Sequence, residues 1–471
     1  MALGTQPRLG KWDIVRRRNE SLWDRLRPPQ LFVGSFAVLV LLGTLGFKLL
    51  PGLYTGEPLS WLDALFTSAS AVCVTGLIVE DTATYFTRWG QVYILLLIQI
   101  GGLGIITFTS LIIIALGRRL SLRQEALAGS RSEITPQVKT KHLLRDVALF
   151  TLTLELIGAV LLLVAWRKDM PLGEAMWHAV FHSISSFCNA GFSTFSDSMV
   201  SWQHRPMPLM IVMLLIVIGG LGFLTLEELY LHARARQQRR MFRLSLHSRI
   251  VLVMTGVLIA GGAALYAMLE WNGALGRISP GGRVVNALFM SVTARTAGFN
   301  TIDYSTARDA TNFLTVILMF IGGSPGSMAG GIKTTTIALI GLLAWSRMRG
   351  EEIPSVASRS VPEETIQRAV GLFVVAFGVV TACIFMIAAI EADDAVLHHF
   401  LHYMFEAASA FNTVGLSMGV TADLSETSKV IVILMMFVGR VGPLSFAAAL
   451  ARMRRHGDRD FRYAYEDVVV G

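Results

Sequence analysis

The sequence predicts an all-α integral membrane protein, and three observations carry that prediction: composition, long apolar runs and an internal repeat. Of the 471 residues, 53% are hydrophobic and only 16% are charged. A soluble domain carries about 25% charged residues, so this chain has too little polar surface to cover itself in water. The composition therefore excludes a soluble enzyme and favours a protein embedded in a lipid bilayer.

Eight apolar runs are long enough to span a membrane and supply the predicted helices. They lie near residues 31–50, 91–116, 147–166, 208–230, 251–270, 312–342, 365–390 and 428–450. The first run follows a basic segment and lacks a small-residue cleavage site. It is therefore predicted to be a retained transmembrane helix and not a signal peptide.

The eight runs form four pairs, and each pair encloses a shorter segment that contains a glycine. These glycines recur at intervals of 107 to 117 residues; they are Gly76, Gly191, Gly298 and Gly415. A second glycine motif follows each of them: IGGLG at 100–104, IGGLG at 218–222, IGGSPG at 321–326 and VGRVGP at 438–443. Two motifs recurring in the same order predict four helix, pore-loop, helix repeats with pseudo-fourfold symmetry.

The repeats divide the chain into six predicted segments. These are a basic N-terminal tail at 1–30, repeat 1 at 31–117, repeat 2 at 118–240, repeat 3 at 241–346, repeat 4 at 347–452 and a C-terminal tail at 453–471. Most of the 41 lysines and arginines fall in the tails and in the links between repeats. By the positive-inside rule, both termini are predicted to be cytoplasmic and the pore loops to open outward. The net charge of +8 thus requires no nucleic-acid partner.

Each pore-loop glycine lies in a segment that suits a cation filter. Stripping water from a cation requires dense carbonyl dipoles, and glycine gives the backbone the freedom to present them. The predicted ion-binding residues are Val74, Thr75, Gly76, Asn189, Ala190, Gly191, Thr296, Ala297, Gly298, Thr413, Val414 and Gly415. These segments look like degenerate copies of the K⁺-channel filter, so the predicted ligand is K⁺ at backbone carbonyls in a central pore. A tight turn between a short helix and a strand is the alternative.

The segments that flank each filter glycine add two expectations. About ten to fifteen helix-compatible residues precede it, too few to span a membrane, which predicts a re-entrant half-helix. A carboxylate follows each glycine; the four are Asp81, Asp197, Asp303 and Asp423. A ring of acids at the outer mouth would concentrate cations, whereas solvated acids would only cap the loops, and the sequence leaves both open.

The second-helix motifs of the repeats differ, and the third is the most irregular. Pro325 and five glycines lie within residues 321–336, which makes a continuous helix improbable. Irregular backbone at membrane depth survives only beside a cavity or water path, so residues 322–336 are predicted to form an intramembrane loop below the filter. In repeats 1 and 2, Leu-Gly follows the glycine pair, and an ordinary helix could continue there.

Arg440 takes the position that Gly102, Gly220 and Gly323 hold in the other repeats, roughly 18 Å into its helix. An arginine there costs about 2.5–3.5 kcal/mol and normally faces a protein interior. We predict that it projects into the pore and closes against the loop. The predicted gate residues are Gly322, Gly323, Ser324, Pro325, Gly326, Gly330, Gly331, Lys333 and Arg440.

Histidines offer a different class of function, an intramembrane enzyme. His178 and His182 are spaced four residues apart, and His398, His399 and His402 form a cluster. Such spacing can bind a metal, but no carboxylate or cysteine completes either site, so core or interfacial histidines are favoured. Arg295, beside the third filter, is expected to pack or to pair with a loop carboxylate.

Together these motifs resemble the Trk/Ktr/HKT superfamily of cation transporters, and most closely the Ktr-type membrane subunit. The likeness covers about residues 30–450. It rests on LDALFTSASAVCVTGL, QIGGLGIITF, FCNAGFS, TARTAGFN, GGSPGS followed by GGIKTTT, FNTVGLSMG and GRVGPLSF. The family has eight core helices in four pseudo-symmetric units. The basic tail, in place of the two extra N-terminal helices of many Trk subunits, favours the Ktr branch.

The resemblance implies a multi-pass protein of the bacterial cell membrane that takes up K⁺, without enzyme activity or an organic cofactor. It implies a homodimer on a cytosolic ring of nucleotide-binding regulatory subunits of the KtrA/TrkA type, opened by ATP and often stimulated by Na⁺. The family's gate arginine corresponds to Arg440 and its intramembrane loop to 322–336. Plant relatives with serine at the first filter favour Na⁺, so Gly76 favours K⁺. A Na⁺-selective or non-selective pore of the same fold is the alternative.

Overall fold

The computed structural model describes residues 28–104, 143–239, 243–351, 354–356, 359–394, 399–443 and 446. Within these ranges the chain is helical apart from its connecting loops and one two-residue β ladder, in which Ser355–Val356 pairs with Arg359–Ser360. The predicted all-α class is confirmed.

The helices occur in four triplets of the same order: a long helix, a short helix that ends at a filter segment, and a further helix. The triplets are α1 (Pro28–Leu49), α2 (Trp61–Val72) and α3 (88–104); α4 (Leu143–Trp166), α5 (Leu172–Phe187) and α6 (Pro206–Leu221); α8 (Leu246–Glu270), α9 (Pro280–Thr293) and α10 (Asp309–Phe320); and α12 (Glu363–Ile390), α13 (Phe400–Phe411) and α14 (Glu426–Val441). Helices α7 (Phe223–Gln237) and α11 (Thr334–Met348) follow the second and third triplets.

This order follows the predicted repeat, but the exact limits of the repeats remain a prediction. The two predicted tails and the link at 118–142 lie almost wholly outside the described residues.

The long helices α1, α4, α8 and α12 are long and apolar enough to cross a membrane. They carry exposed large apolar side chains, including Leu41, Leu156, Met268 and Phe385, as expected of faces in contact with lipid. The bent pair α6–α7 raises the number of candidate spans to five within the described ranges. The predicted count of eight spans remains a prediction.

The second repeat departs from a continuous helix at Gly222. The helix ends at Leu221 and resumes at Phe223 with a bend of 102°. Gly222 has φ +86°, which favours glycine, and a β-carbon there would lie 2.6 Å from the carbonyl oxygen of Pro325. The Phe223 amide donates to the Gly326 carbonyl at 3.0 Å. The continuous helix that the sequence allowed does not form in repeat 2, because the loop of the third repeat occupies this space.

The second glycine motif has a packing role in repeats 1, 2 and 4. Its first glycine is Gly101, Gly219 or Gly439, and each lies so close to a short-helix carbonyl that a β-carbon would not fit. Those carbonyls belong to Val72, Phe187 and Phe411, each four residues before a filter glycine. In these three repeats, the second glycine motif therefore packs directly against the end of the short helix that precedes the filter glycine. This contact fixes the position of the short helix.

Candidate ion-conduction site

The four filter segments share one unusual backbone conformation despite their different sequences. Two residues before each glycine stands a non-glycine residue with φ between 50° and 73°; these are Val74, Asn189, Thr296 and Thr413. The glycines themselves have φ between 71° and 95°. Left-handed backbone at non-glycine positions is uncommon and costs free energy, so its fourfold recurrence indicates a functional constraint.

The four glycines are neighbours around a single axis. A β-carbon on Gly191 would lie 2.9 Å from the Cα of Gly298, and one on Gly298 would lie 2.6 Å from the carbonyl oxygen of Val414. Gly415 faces Thr75, and Gly76 faces Ala190, in the same manner. The segments therefore form a closed ring in the order one, two, three, four, with backbone carbonyls at each junction.

Hydroxyl groups of the short helices support this ring. Ser70 Oγ accepts from the Gly76 amide at 3.1 Å, and Ser409 Oγ accepts from the Gly415 amide at 3.0 Å. In the other repeats, Ser185 Oγ donates to the Phe192 carbonyl and Thr293 Oγ1 to the Phe299 carbonyl. These four residues were not predicted, although each stands five or six positions before a filter glycine and the pattern was visible in the sequence.

The filter also carries oxygen atoms that no hydrogen bond occupies. The buried Oγ1 atoms of Thr75, Thr296 and Thr413 have no hydrogen-bond partner among the described residues. Each short helix ends just before its filter segment, so the negative end of its dipole adjoins the ring. Carbonyls, free hydroxyls and helix ends together make a site suited to a dehydrated cation.

The predicted intramembrane loop lies between α10 and α11 and contacts two other repeats. The Ser324 amide donates to the Gly220 carbonyl at 3.0 Å, and the Met328 amide donates to the Gly219 carbonyl at 3.1 Å. On the other side, a β-carbon on Gly331 would lie 2.6 Å from Asn412 Oδ1. The loop thus bridges α6 of repeat 2 and the filter region of repeat 4.

Arg440 reaches this loop, and its side chain is only 2% exposed. Its Nη1 donates to the Met328 carbonyl, whereas Nε and Nη2 have no hydrogen-bond partner among the described residues. Lys333 Nζ donates to the Ala329 carbonyl at 2.6 Å. Two cationic side chains therefore hold successive carbonyls of the loop. The structure brings the predicted gate residues together, while their gating role remains a prediction.

Three of the four predicted outer acids cap local turns. The Ala83 amide donates to Asp81, the Ser201 amide to Asp197 and the Ser305 amide to Asp303. Ser196 Oγ also donates to Asp81, which joins the loops that follow the filter glycines of repeats 1 and 2. These bonds fit the capping alternative. Attraction of cations by the four acids, including the exposed Asp423, remains a prediction.

The histidines of repeat 2 are held by hydroxyls and aromatic rings. His178 Nδ1 lies 2.6 Å from Thr194 Oγ1, His182 Nε2 lies 3.0 Å from Ser193 Oγ, and both rings stack on Phe195. Over the described ranges, no three His, Cys, Asp or Glu side chains are placed to bind a metal. His398 lies outside those ranges.

Several buried polar groups near the filter were not predicted. Glu406 on α13 accepts from Ser417 Oγ and Thr421 Oγ1, which ties the outer part of the fourth filter loop to its short helix. Glu155 on α4 accepts from Gln99. The signal that could have revealed both is an acidic residue within an apolar or re-entrant segment. Arg295 is 7% exposed, and two of its guanidinium nitrogens have no partner within the described part of the chain, so packing describes it better than pairing.

Hydrogen bonds join repeat 1 to repeat 2 and repeat 2 to repeat 3. The Trp177 indole donates to Gln91 Oε1 at 2.7 Å, and Asn286 Nδ2 donates to the Gln203 carbonyl at 2.8 Å. Lys429 of repeat 4 pairs with Asp63 of repeat 1 at 3.3 Å, which joins the last repeat to the first. A ring of carbonyl-lined segments, enclosed by apolar helices, defines a pore-forming membrane transport protein.

Comparison with known proteins identifies the family. The family described as TrkH, cation transport protein, matches residues 25–457. The Ktr system potassium uptake protein B of Vibrio alginolyticus is 37% identical over 90% of this chain and 91% of its own. Its Bacillus subtilis counterpart is 36% identical over 95% of this chain and 98% of its own. The potassium/sodium uptake protein NtpJ of Enterococcus hirae is 33% identical over 95% of this chain and 98% of its own.

A solved structure has the same fold. The crystal structure of the potassium transporter TrkH from Vibrio parahaemolyticus matches with a TM-score of 0.72 at 21% identity, over 91% of this chain and 86% of that one. The chain belongs to the TrkH family of cation transport proteins, which are membrane transporters and not enzymes. The predicted resemblance is confirmed, and the alternative of an intramembrane enzyme was wrong.

Proposed function

We propose that this chain takes up K⁺ across the bacterial cell membrane through the ring of four filter segments. The observation that carries the proposal is the closed ring around Gly76, Gly191, Gly298 and Gly415, with the same left-handed backbone in each segment. Such a ring offers carbonyl oxygens in place of a hydration shell. The names of the similar Ktr proteins, which denote potassium uptake, support K⁺ as the ion.

We further propose that the loop at 322–336 and Arg440 form the gate. The loop lies against Thr413 of the fourth filter segment, and Arg440 holds its Met328 carbonyl. In this arrangement the loop occupies space directly next to the filter. Release of the Arg440 and Lys333 bonds would free the loop to move aside.

The resemblance to the Ktr branch extends the proposal to partners and orientation. We propose a homodimer with cytoplasmic termini that binds a cytosolic ring of nucleotide-binding regulatory subunits, with Na⁺ as an activating ion. Three of the links predicted to face the cytoplasm are basic, which suits docking of such a partner. No organic cofactor is proposed for this chain.

A Na⁺-selective or non-selective pore of the same fold is the second candidate. This second candidate is supported by the similarity to NtpJ, which is named a potassium/sodium uptake protein. Glycine at position 76, where serine accompanies Na⁺ preference in plant relatives, favours K⁺.

Complementation tests the proposal directly. The chain, with and without a Ktr-type regulatory partner, is expressed in a bacterium that lacks K⁺ uptake and is grown at low K⁺. Growth is expected for the wild-type chain and not for Gly298→Ala, whose new β-carbon would lie 2.6 Å from the Val414 carbonyl oxygen. Tracer Rb⁺ uptake with K⁺ or Na⁺ as competitor then separates the candidates. Equal competition by Na⁺ would favour the non-selective pore, and absence of uptake at normal membrane levels would contradict the proposed function.

A further inference from the structure

Glu155 is a carboxylate at mid-membrane depth. It is the thirteenth of 24 residues in α4 and the one acidic residue between positions 147 and 166. Its side chain is 4% exposed. A buried ionisable group at this depth is costly, and such residues mark ion pathways in membrane proteins.

The partners of Glu155 belong to the pore and not to the lipid-facing surface. Gln99 Nε2 on α3 donates to Glu155 Oε2 at 3.1 Å, and Cys188 Sγ donates to Glu155 Oε1 at 3.7 Å. Ser183 Oγ donates to the Glu155 carbonyl at 2.6 Å. Cys188 directly precedes Asn189 of the second filter segment. Glu155 therefore lies immediately behind that segment.

Glu155 is held by Gln99 and lies beside a thiol that Gln99 also contacts. Glu155 Oε2 accepts from Gln99 Nε2 at 3.1 Å, while the single S–H of Cys188 lies within reach of both Glu155 Oε1 and Gln99 Oε1, at 3.7 and 3.6 Å. Other buried glutamates hold turns at the ends of helices: Glu270 accepts from the Arg308 amide and Thr311 Oγ1, for example.

Cys188 places this carboxylate next to the predicted gate. Its sulfur lies 3.3 Å from the position of a β-carbon on Gly102, and Met328 Sδ lies 3.0 Å from the same point. Met328 is the residue whose carbonyl Arg440 holds. A negative group and a positive group thus flank the region below the filter, separated by the Cys188 and Met328 side chains.

We propose that Glu155 is an affinity-setting residue of the pore, whose negative charge offsets that of Arg440 and raises the affinity for K⁺ at the inner end of the filter. The inference rests on the proposed K⁺ uptake and concerns how tightly the ion binds, not whether it passes. A wild-type chain without uptake would therefore overturn the proposed function and not this inference alone. At an effective dielectric constant of about 20, a unit charge on the order of 10 Å from an ion changes its binding constant roughly tenfold.

The test is Glu155→Gln, which keeps the size of the side chain and removes the charge. Rb⁺ uptake into proteoliposomes is measured over a range of concentrations for the chain with its regulatory partner. The expected result is a KM about tenfold higher with a maximal rate close to that of the wild type, because the charge acts on ion binding. A role confined to packing would lower the amount of folded protein or the maximal rate and leave KM unchanged.

Two further variants make the test decisive. Glu270→Gln removes a buried carboxylate at the outer end of α8 and is expected to leave KM unchanged. The double variant Glu155→Gln, Gln99→Glu moves the carboxylate across the same hydrogen bond and is expected to restore a KM within about twofold of the wild type. An unchanged KM in folded Glu155→Gln, or an equal rise in Glu270→Gln, would overturn the proposal. If Glu155→Gln does not accumulate, a raised KM in the double variant would overturn it instead.

Discussion

Gly330 lies directly against the side chain of Thr413, so the intramembrane loop of the third repeat touches the filter of the fourth. The contact leaves no space for a β-carbon at Gly330, whose nearest neighbour is the Thr413 hydroxyl oxygen. That hydroxyl has no hydrogen-bond partner in the described part of the chain. The loop and this part of the fourth filter segment are therefore one packed unit.

Replacement of Gly330 by alanine is expected to push the loop away from Thr413 and to raise Rb⁺ uptake in the absence of a regulatory partner. Packed regions accommodate even one extra methyl group poorly, at a cost of about 1–3 kcal/mol. Tracer uptake into proteoliposomes measures the effect. The control is Gly341→Ala on α11, where a β-carbon meets open space. Unchanged uptake at normal protein levels would show that this contact does not hold the loop closed.

Arg440→Ala is expected to raise cation flux severalfold, because it removes the bond to the Met328 carbonyl that holds the loop. Loss of a hydrogen bond from a charged donor typically costs about 1.5–3 kcal/mol, which is enough to shift a closed–open equilibrium more than tenfold. Current or tracer flux without the regulatory partner measures it. Arg368→Ala removes an exposed arginine of α12 and serves as the control. Lower or equal flux in a folded Arg440→Ala protein would contradict the gate proposed for this residue.

Gly76→Ser is expected to reduce the preference for K⁺ over Na⁺. The new side chain would face the Ala190 carbonyl of the neighbouring segment and alter the spacing of the oxygen ring. Gly419→Ser is a matched control, because Gly419 also has a positive φ of 87° but has open space beside it. Both variants pay the roughly 1–2 kcal/mol cost of left-handed backbone, and only Gly76→Ser disturbs the ring. Competition of Na⁺ against Rb⁺ uptake distinguishes them; the same selectivity in both would argue against a filter at Gly76.

Gly222→Ala is expected to lower the apparent unfolding temperature in detergent and to reduce the amount of folded protein. Alanine at φ +86° is strained by about 1–2 kcal/mol, and its β-carbon would also collide with the Pro325 carbonyl. The control is Gly256→Ala in α8, where an added β-carbon has no neighbour within 4 Å. The stability of this variant should be equal to that of the wild type or up to about 1 kcal/mol greater. Equal unfolding temperatures for the two variants would mean that the α6–α7 bend does not require glycine.

The parts of this fold that were predictable are those whose cause is local in the sequence. Four glycines at regular intervals predicted four filter segments, and Pro325 among glycines predicted an irregular loop, because each residue limits its own backbone. The bend at Gly222 was missed because its cause, the Pro325 carbonyl, comes from another repeat. Glu155 was missed for the same reason: its partners Gln99 and Cys188 belong to other helices.

The outer acids show a further limit of sequence analysis. The sequence could not decide whether Asp81 and its three counterparts attract cations or cap the loops, since both functions place an acid after the filter glycine. Only the hydrogen bonds of the loops favour one of them. Ser70 and Ser409 could have been found from their constant spacing, but a serine in a short helix carries little meaning until its partner, a filter amide, is known.

Closure of the ring between the fourth and first repeats has a consequence for biosynthesis. Asp63 and Lys429 are 366 positions apart, and Gly415 meets Thr75 across a similar separation. A ribosome has made most of the polypeptide before the last segment exists to complete the circle. A prematurely terminated product that lacks the fourth segment would therefore leave the ring of filter segments open between repeats 3 and 1.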